Sequence, residues 1–145
     1  MLKITLEDIM CNHPITVKDD VKVGGVAHLL LRYRINGILV IDRNDENLLK
    51  GVFTTTDLLR LIDEAVSGDR QRIQELRRVS ELAVGEVASK SIISLQKDTT
   101  VVKAIATMQK KGIHTIPVYD GNILVGVVGR HDILNIAFNF LEDGV

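Results

Sequence analysis

The sequence predicts a mixed α/β (α+β) fold made of two copies of one β-α-β-β-α unit, and three observations carry that prediction. The chain repeats itself: residues 87–120 lie over 9–42, residues 123–141 lie over 48–66, and the apolar positions coincide. Helical and strand periods agree between the copies. The single length change, residues 43–47 against Gly121-Asn122, falls where a hairpin loop tolerates it.

Composition narrows the class. The chain has 145 residues, with 18 Lys and Arg against 19 Asp and Glu, a formal net charge of -1. Hydrophobic residues make up 46% and charged ones 26%, the balance of a soluble globular protein. Near-neutral charge argues against binding to a nucleic acid polymer. The single cysteine, Cys11, excludes an internal disulfide and a multi-cysteine metal site, and reads as a small semi-buried residue rather than a nucleophile. No apolar run approaches the ~20 residues needed to span a bilayer. The Met-Leu-Lys-Ile start lacks the apolar core of a signal peptide, so the expected location is cytoplasmic, with no membrane partner. Aromatics are only 3%, so the core must be mainly aliphatic.

The elements follow in chain order. Each copy opens with a leading segment, Leu6-Glu-Asp-Ile-Met10 or Val84-Gly-Glu-Val87, and Thr5 with Asp8 forms a helix-start box ahead of the first. A short strand comes next, Ile15-Thr-Val17 or Ile93-Ser-Leu95. Val23, Val26, Ala27 and Leu30 then mark one helix face, as do Val101, Ala104, Ile105 and Met108. Gly24-Gly25 at the start of the first of these helices marks an irregular first turn or, as the alternative, a close backbone approach, and the first reading is favoured. The middle strands are Ile38–Ile41 and Ile116–Tyr119, and the next strands run over 48–53 and 123–128. In the second copy Tyr119-Asp-Gly-Asn-Ile123 is a tight-hairpin signal, since glycine accepts a positive φ. Closing helices carry Leu58, Leu61, Ile62, Ala65 and Val66, matched by Ile133, Ile136, Ala137, Phe140 and Leu141. This divides the chain into a first repeat over 1–67, a linker over 68–83 and a second repeat over 84–145. The linker carries Asp69, Arg70, Arg72, Glu75, Arg77, Arg78 and Glu81, with Ile73, Leu76 and Val79 spaced for an amphipathic, solvated helix.

Three segments resemble a known family. Asp8-Ile-Met-Cys-Asn-His-Pro-Ile-Thr-Val17 is similar to the leading segment of the tandem cystathionine-β-synthase (CBS) domain pair, and Gly112-Ile-His-Thr-Ile-Pro-Val118 to its middle segment. Both copies carry its closing segment, a glycine with an aspartate six positions on: Gly51-Val-Phe-Thr-Thr-Thr-Asp57 and Gly126-Val-Val-Gly-Arg-His-Asp132. The resemblance implies two repeats packed about a pseudo-twofold axis, with one cleft per repeat for an adenine-containing ligand such as AMP, ADP, ATP, NAD or S-adenosylmethionine. It also implies a regulatory role, and commonly a homodimer.

The residues themselves suit such a ligand. Asp57 and Asp132 start helices, where spacing alone reads them first as caps. A carboxylate there also accepts ribose hydroxyls, by analogy with dinucleotide folds, and the resemblance puts that role first. Thr54 matches the family's hydroxyl position, and with the helix N-terminus makes an anion site. Thr55 and Thr56 read as strand-end residues. In the second repeat Gly129 removes that hydroxyl, while Arg130 and His131 bring bidentate and imidazole donors to the same turn. The alternative for Arg130 is a solvated charge. The two clefts are therefore expected to bind unequally, or only one to be filled. Thr16 and Val17, Ser94 and Leu95, and Ile38, Ile116 and Pro117 are the positions expected to flank adenine, although core packing alone accounts for their apolar character. Asn36 and His114 occupy equivalent places before the middle strands, and a lone histidine is equally a hydrogen-bonded structural residue.

No phosphate-loop, dinucleotide, nucleophile-elbow or zinc-protease motif is present, and His13, His28, His114 and His131 lack metal-ligand spacing. The expectation is a sensor rather than an enzyme, with no cofactor or metal beyond an adenine nucleotide as regulatory ligand and an effector protein downstream. The alternative is an oligomerisation or partner-docking module with vestigial clefts.

Overall fold

A computed structural model of the chain describes residues 3–68 and 71–142, with side chains described as far as residue 139. Asp69 and Arg70 of the linker, and the side chains of Phe140 and Leu141 on the last helix, lie outside the described residues. In chain order the elements are α1 (Leu6–Ile9), β1 (Thr16–Lys18), α2 (Val23–Tyr33), β2 (Gly37–Ile41), β3 (Leu49–Thr54), α3 (Thr55–Val66), α4 (Arg72–Glu81), α5 (Val84–Val87), β4 (Leu95–Gln96), α6 (Val101–Lys111), β5 (Thr115–Asp120), β6 (Ile123–Gly129) and α7 (Arg130–Glu142). The fold is mixed α+β, and each repeat supplies one three-stranded sheet and its helices.

The sheets have the same topology. β1 runs parallel to β2, which is antiparallel to β3; β4, β5 and β6 repeat that order and those directions. Every strand of the expected set forms, but the first strand is shifted by one residue and β4 shrinks to Leu95-Gln96, leaving Ser94 just ahead of it. The hairpin between β5 and β6 turns on Gly121 at φ 60, the positive value anticipated for it.

The helix faces bury as their spacing requires. Val23, Val26 and Leu30 of α2 pack with Val17, Ile38, Val40 and Phe53, while Val101 and Ala104 of α6 pack with Ile116, Val118 and Val128. Phe53 is the one aromatic among the buried core side chains of the described residues. Ile62 of α3 departs from the expected face and is exposed. The linker helix also forms, with Val79 buried and Leu76 packed against the core, whereas Ile73 points outward.

Compact units do not follow the repeat boundaries. One unit comprises Ile15–Ile92, and the other comprises Met1–Pro14 together with Ile93–Val145. Each leading segment thus belongs to the unit built on the other repeat's sheet. Leu6 is fully buried beside Val101 and Ile116, and its N–H donates to Thr99 O at 2.9 Å, while the Glu7 N–H donates to Lys97 O at 3.0 Å. In the other unit the Val84 N–H donates to Val21 O at 2.8 Å and the Gly85 N–H to Asp19 O at 2.9 Å. Cys11 then pairs with Val127 on the free edge of β6, and Ser89 with Val52 on the free edge of β3, two backbone hydrogen bonds each. Cys11 joins this contact through its backbone, and the residue is exposed rather than semi-buried. Lys97 adds an ionic link. Its ammonium lies 3.3 Å from Asp120 and 3.6 Å from Glu7, and Asp120 above all raises its pKa.

This pairing explains the glycine of each closing segment. A Cβ on Gly51 would stand 2.8 Å from Ser89 O and 2.9 Å from Ala88 Cβ; one on Gly126 would stand 2.6 Å from Met10 Sδ and 2.7 Å from Cys11 O. Only glycine lets the incoming backbone approach the strand so closely. Gly24 likewise meets Ser80 of α4 within 3.3 Å. The first turn of α2 is regular, so close approach, and not an irregular turn, accounts for it. Gly51→Ala is expected to destabilise the protein by about 1–3 kcal/mol through overpacking against backbone. Gly25→Ala, whose nearest neighbour is Val21 Cγ1 at 3.7 Å, is expected to stabilise it by up to about 1 kcal/mol. Urea unfolding of the two variants distinguishes these opposite signs.

Candidate functional site

Strand register decides which side chains meet. In the first unit Gly37 lies opposite Thr54, and Thr16 lies beside Leu39. The start of β1, the start of β2 and the end of β3 therefore share one end of the sheet. The Asn36 carbonyl accepts the Thr55 N–H at 2.8 Å, tying the approach to β2 to the first turn of α3. The second unit repeats this arrangement. Thr115 lies opposite Gly129, Leu95 beside Val118, and the His114 carbonyl accepts the Arg130 N–H at 3.0 Å.

The two aspartates sit at these junctions. Asp57 is buried, and its Oδ2 accepts hydrogen bonds from the Thr54 N–H at 2.8 Å and the Thr54 hydroxyl at 2.9 Å. In return the Asp57 N–H donates to Thr54 Oγ1 at 3.2 Å, completing a reciprocal cap on α3. Thr55 and Thr56 are helical residues of that first turn rather than strand ends, and both are exposed. Asp132 is half-buried and accepts the Gly129 N–H at 2.7 Å through Oδ2. Capping, the role read from spacing alone, is thus present in both copies.

Thr54, Asp57 and Asn36 gather at one junction, and Gly129, Arg130, His131, Asp132 and His114 at the other. Thr16 lies two residues up the sheet from the first junction, half-buried, while Ser94 is exposed ahead of β4. Val17, Ile38 and Ile116 are buried members of the two cores; Leu95 is half-buried against its core, and Pro117 is buried in β5.

Sequence reasoning missed Arg60. Its guanidinium donates to Asp57 Oδ1 at 3.1 Å, so both oxygens of that carboxylate are engaged. The signal was an acid and a base three apart on one helix, and the second repeat has Asn135 at the corresponding position. An open depression of about 600 Å³ also lies along β1 and the loop after β2, lined by Thr16, Lys18, Ile41 and residues 42–46. It shares only Thr16 with the expected site. Asp42 on its wall is held below the usual carboxylate range chiefly by the Asn44 N–H at 2.9 Å, with Lys50 contributing.

This duplicated arrangement is one that known proteins share. The CBS domain family matches residues 6–64 and again 84–139. The chain belongs to the CBS domain family. Among solved structures of CBS pairs, the AcuB protein of Vibrio cholerae superposes with a TM-score of 0.78 at 26% identity, covering 96% of this chain and 93% of that one. CBSX2, solved in complex with AMP, superposes with a TM-score of 0.76 at 25% identity, covering 94% of this chain and 98% of that one. A homoserine O-acetyltransferase of Methanocorpusculum labreanum is 26% identical over 126 residues, which are 86% of this chain and 22% of that enzyme. The chain spans about a fifth to a half of the length of the first curated relatives it matches. Among the described residues no helix is long and apolar enough to cross a membrane, and no group of three or more His, Cys, Asp or Glu is placed to hold a metal ion.

The caps of this CBS pair differ by one hydroxyl, and stability measurements can read that difference. Thr54→Ala should cost about 1 kcal/mol by removing the side-chain cap of α3. Gly129→Ser should be neutral or stabilising by a few tenths of a kcal/mol, since a Cβ there meets nothing closer than Asp132 Oδ2 at 3.6 Å. Chemical denaturation of each variant against wild type checks both values.

Proposed function

We propose that this CBS pair is a regulatory module that binds an adenine nucleotide at the sheet-end junctions and signals its occupancy by a change of shape or assembly. The observation that supports this reading most is the backbone tie at each junction, Asn36 to Thr55 and His114 to Arg130, which gathers polar side chains around a helix-start carboxylate. CBSX2, a relative matching nearly the whole chain, was solved with AMP. In the first unit Asp57 would accept ribose hydroxyls, Thr54 would bond sugar or phosphate, and Thr16 and Asn36 would line the base, with Val17 and Ile38 behind them. In the second, Asp132 takes the ribose role and Arg130 and His131 the phosphate, with Ser94, Leu95, His114, Ile116 and Pro117 around the base. AMP, ADP, ATP, NAD and S-adenosylmethionine all carry the adenosine that these groups address.

The module acts by binding, not catalysis, and the nucleotide serves as a regulatory ligand rather than a cofactor. Its setting is a cytoplasmic homodimer that reports to an effector protein. A second reading, an oligomerisation or docking module with vestigial clefts, is favoured by exposed apolar side chains: Leu31 and Tyr33 on α2, Leu59 on α3, and Leu134 and Phe138 on α7.

Ligand binding to the native state raises its stability by mass action, about 2.7 kcal/mol at one hundred times Kd. At least one of the five compounds should therefore raise Tm at millimolar concentration, and Asp57→Asn should diminish the first unit's share of the response. Silence from all five in wild type would falsify the sensing role for these ligands, and a ligand-insensitive dimer would favour docking.

A further inference from the structure

The approach to β2 carries a chemical feature outside nucleotide binding. Asn36 is followed by Gly37, whereas each other asparagine of the chain precedes a residue with a side chain. An asparagine side chain can close on the backbone nitrogen of the next residue, and a Cβ on that residue crowds the approach. Glycine removes the obstacle. The second repeat has His114-Thr115 at the equivalent place, so the pair belongs to the first unit alone.

The fold leaves both reacting groups available. Asn36 is exposed in the bend between α2 and β2, and Gly37 is the first residue of the strand. The Thr55 N–H donates to the Asn36 carbonyl at 2.8 Å, which makes Gly37 and Thr54 the non-hydrogen-bonded pair next in the antiparallel ladder. The Gly37 N–H therefore points away from β3. On its other side β1 starts at Thr16, opposite Leu39, so that ladder does not reach Gly37. Thr55 contributes a second effect. Its bond draws electron density from the peptide group joining Asn36 to Gly37, and so favours the deprotonated nitrogen as an oxyanion-stabilising donor does.

We infer that Asn36-Gly37 is a self-modifying site, at which the native protein deamidates without an enzyme. The Gly37 nitrogen, having lost its proton to water or hydroxide, attacks Asn36 Cγ. A C–N bond forms, the Cγ–Nδ2 bond breaks, and the side-chain nitrogen takes up a proton and leaves as ammonia. Water then opens the resulting cyclic imide. Opening at Cγ gives aspartate at 36; opening at the main-chain carbonyl gives isoaspartate, whose backbone runs through Cβ and Cγ. Water is the one co-reactant, and nothing is oxidised or reduced. Both products add a carboxylate to the junction that holds the buried Asp57, and like charges brought together there repel. The isoaspartate also lengthens the main chain by a methylene just ahead of the buried strand residues Ile38 to Ile41. The first unit thus carries a one-way chemical change that the second lacks.

Incubation of the whole folded chain at neutral to mildly alkaline pH, followed by peptide mapping with mass spectrometry, tests the inference. The peptide holding Asn36 should gain the amide-to-acid mass increment as two products. It should do so faster than the peptides holding Asn12, Asn44 or Asn122, and at a rate that rises with pH. Asn36→Gln should abolish the gain, because the longer side chain closes the ring poorly. A chain unfolded in urea supplies the unshielded rate. Aged wild type should unfold at a lower urea midpoint than fresh wild type, while Asn36→Gln treated in the same way keeps its own midpoint. Conversion of Asn36 in urea but not in the native chain would overturn the inference, since the fold would then protect the pair. Conversion that leaves the urea midpoint unmoved would overturn the effect on the junction. No outcome depends on nucleotide binding, so the nucleotide reading stands or falls separately.

Discussion

The backbone pairings of Cys11 with Val127 and of Ser89 with Val52 are the constraint on which the rest of the structure depends. Each pins a segment that begins the other repeat to one residue on the free edge of a three-stranded sheet. An uncovered edge would present a row of unpaired backbone groups to solvent and to other chains. The pairing segment must lie close, and glycine at 51 and 126 is what permits it. Leu6 and Val84 then anchor the arrangement as fully buried side chains of the unit they join.

Duplication leaves the scaffold and the chemistry under separate constraints. Backbone hydrogen bonds recur at equivalent positions, including the tie between the middle strand's approach and the closing helix. Side chains that contact only the junction are free to change. The aspartate persists in both copies because it caps its helix as well as facing the junction. Arg60 against Asn135 carries no such double duty and differs, and where Thr54 caps its helix through its hydroxyl the second copy has Gly129, leaving Asp132 as the side chain bonded at that helix start. The two units of this CBS pair therefore share one scaffold and differ in the side chains at the junction.

Much of this was legible in the sequence, for identifiable reasons. Helix faces such as Val23, Val26 and Leu30 are written in a local period, and Gly121 at the hairpin in a local backbone requirement. The leading segments were not legible in the same way. Nothing in Leu6-Glu-Asp-Ile-Met10 states which sheet will bury Leu6, since strand pairing and burial at long range leave no period behind. The linker shows the same limit on a small scale: Val79 is buried as its spacing asks, but Ile73 on the same stripe is solvent-facing. At the junctions, the aspartates were visible as caps and as family positions. Arg60 was not, because its pairing with Asp57 depends on a distance that spacing only permits.

The exchanged segments are the central claim, and native-state hydrogen exchange at single-amide resolution addresses them most directly. The account predicts that the amides of Leu6, Glu7 and Cys11 are protected to the degree of Val127 in β6, and those of Val84 and Ser89 to the degree of Val52 in β3. Free exchange of Cys11 and Ser89 while the sheets stay protected would contradict it.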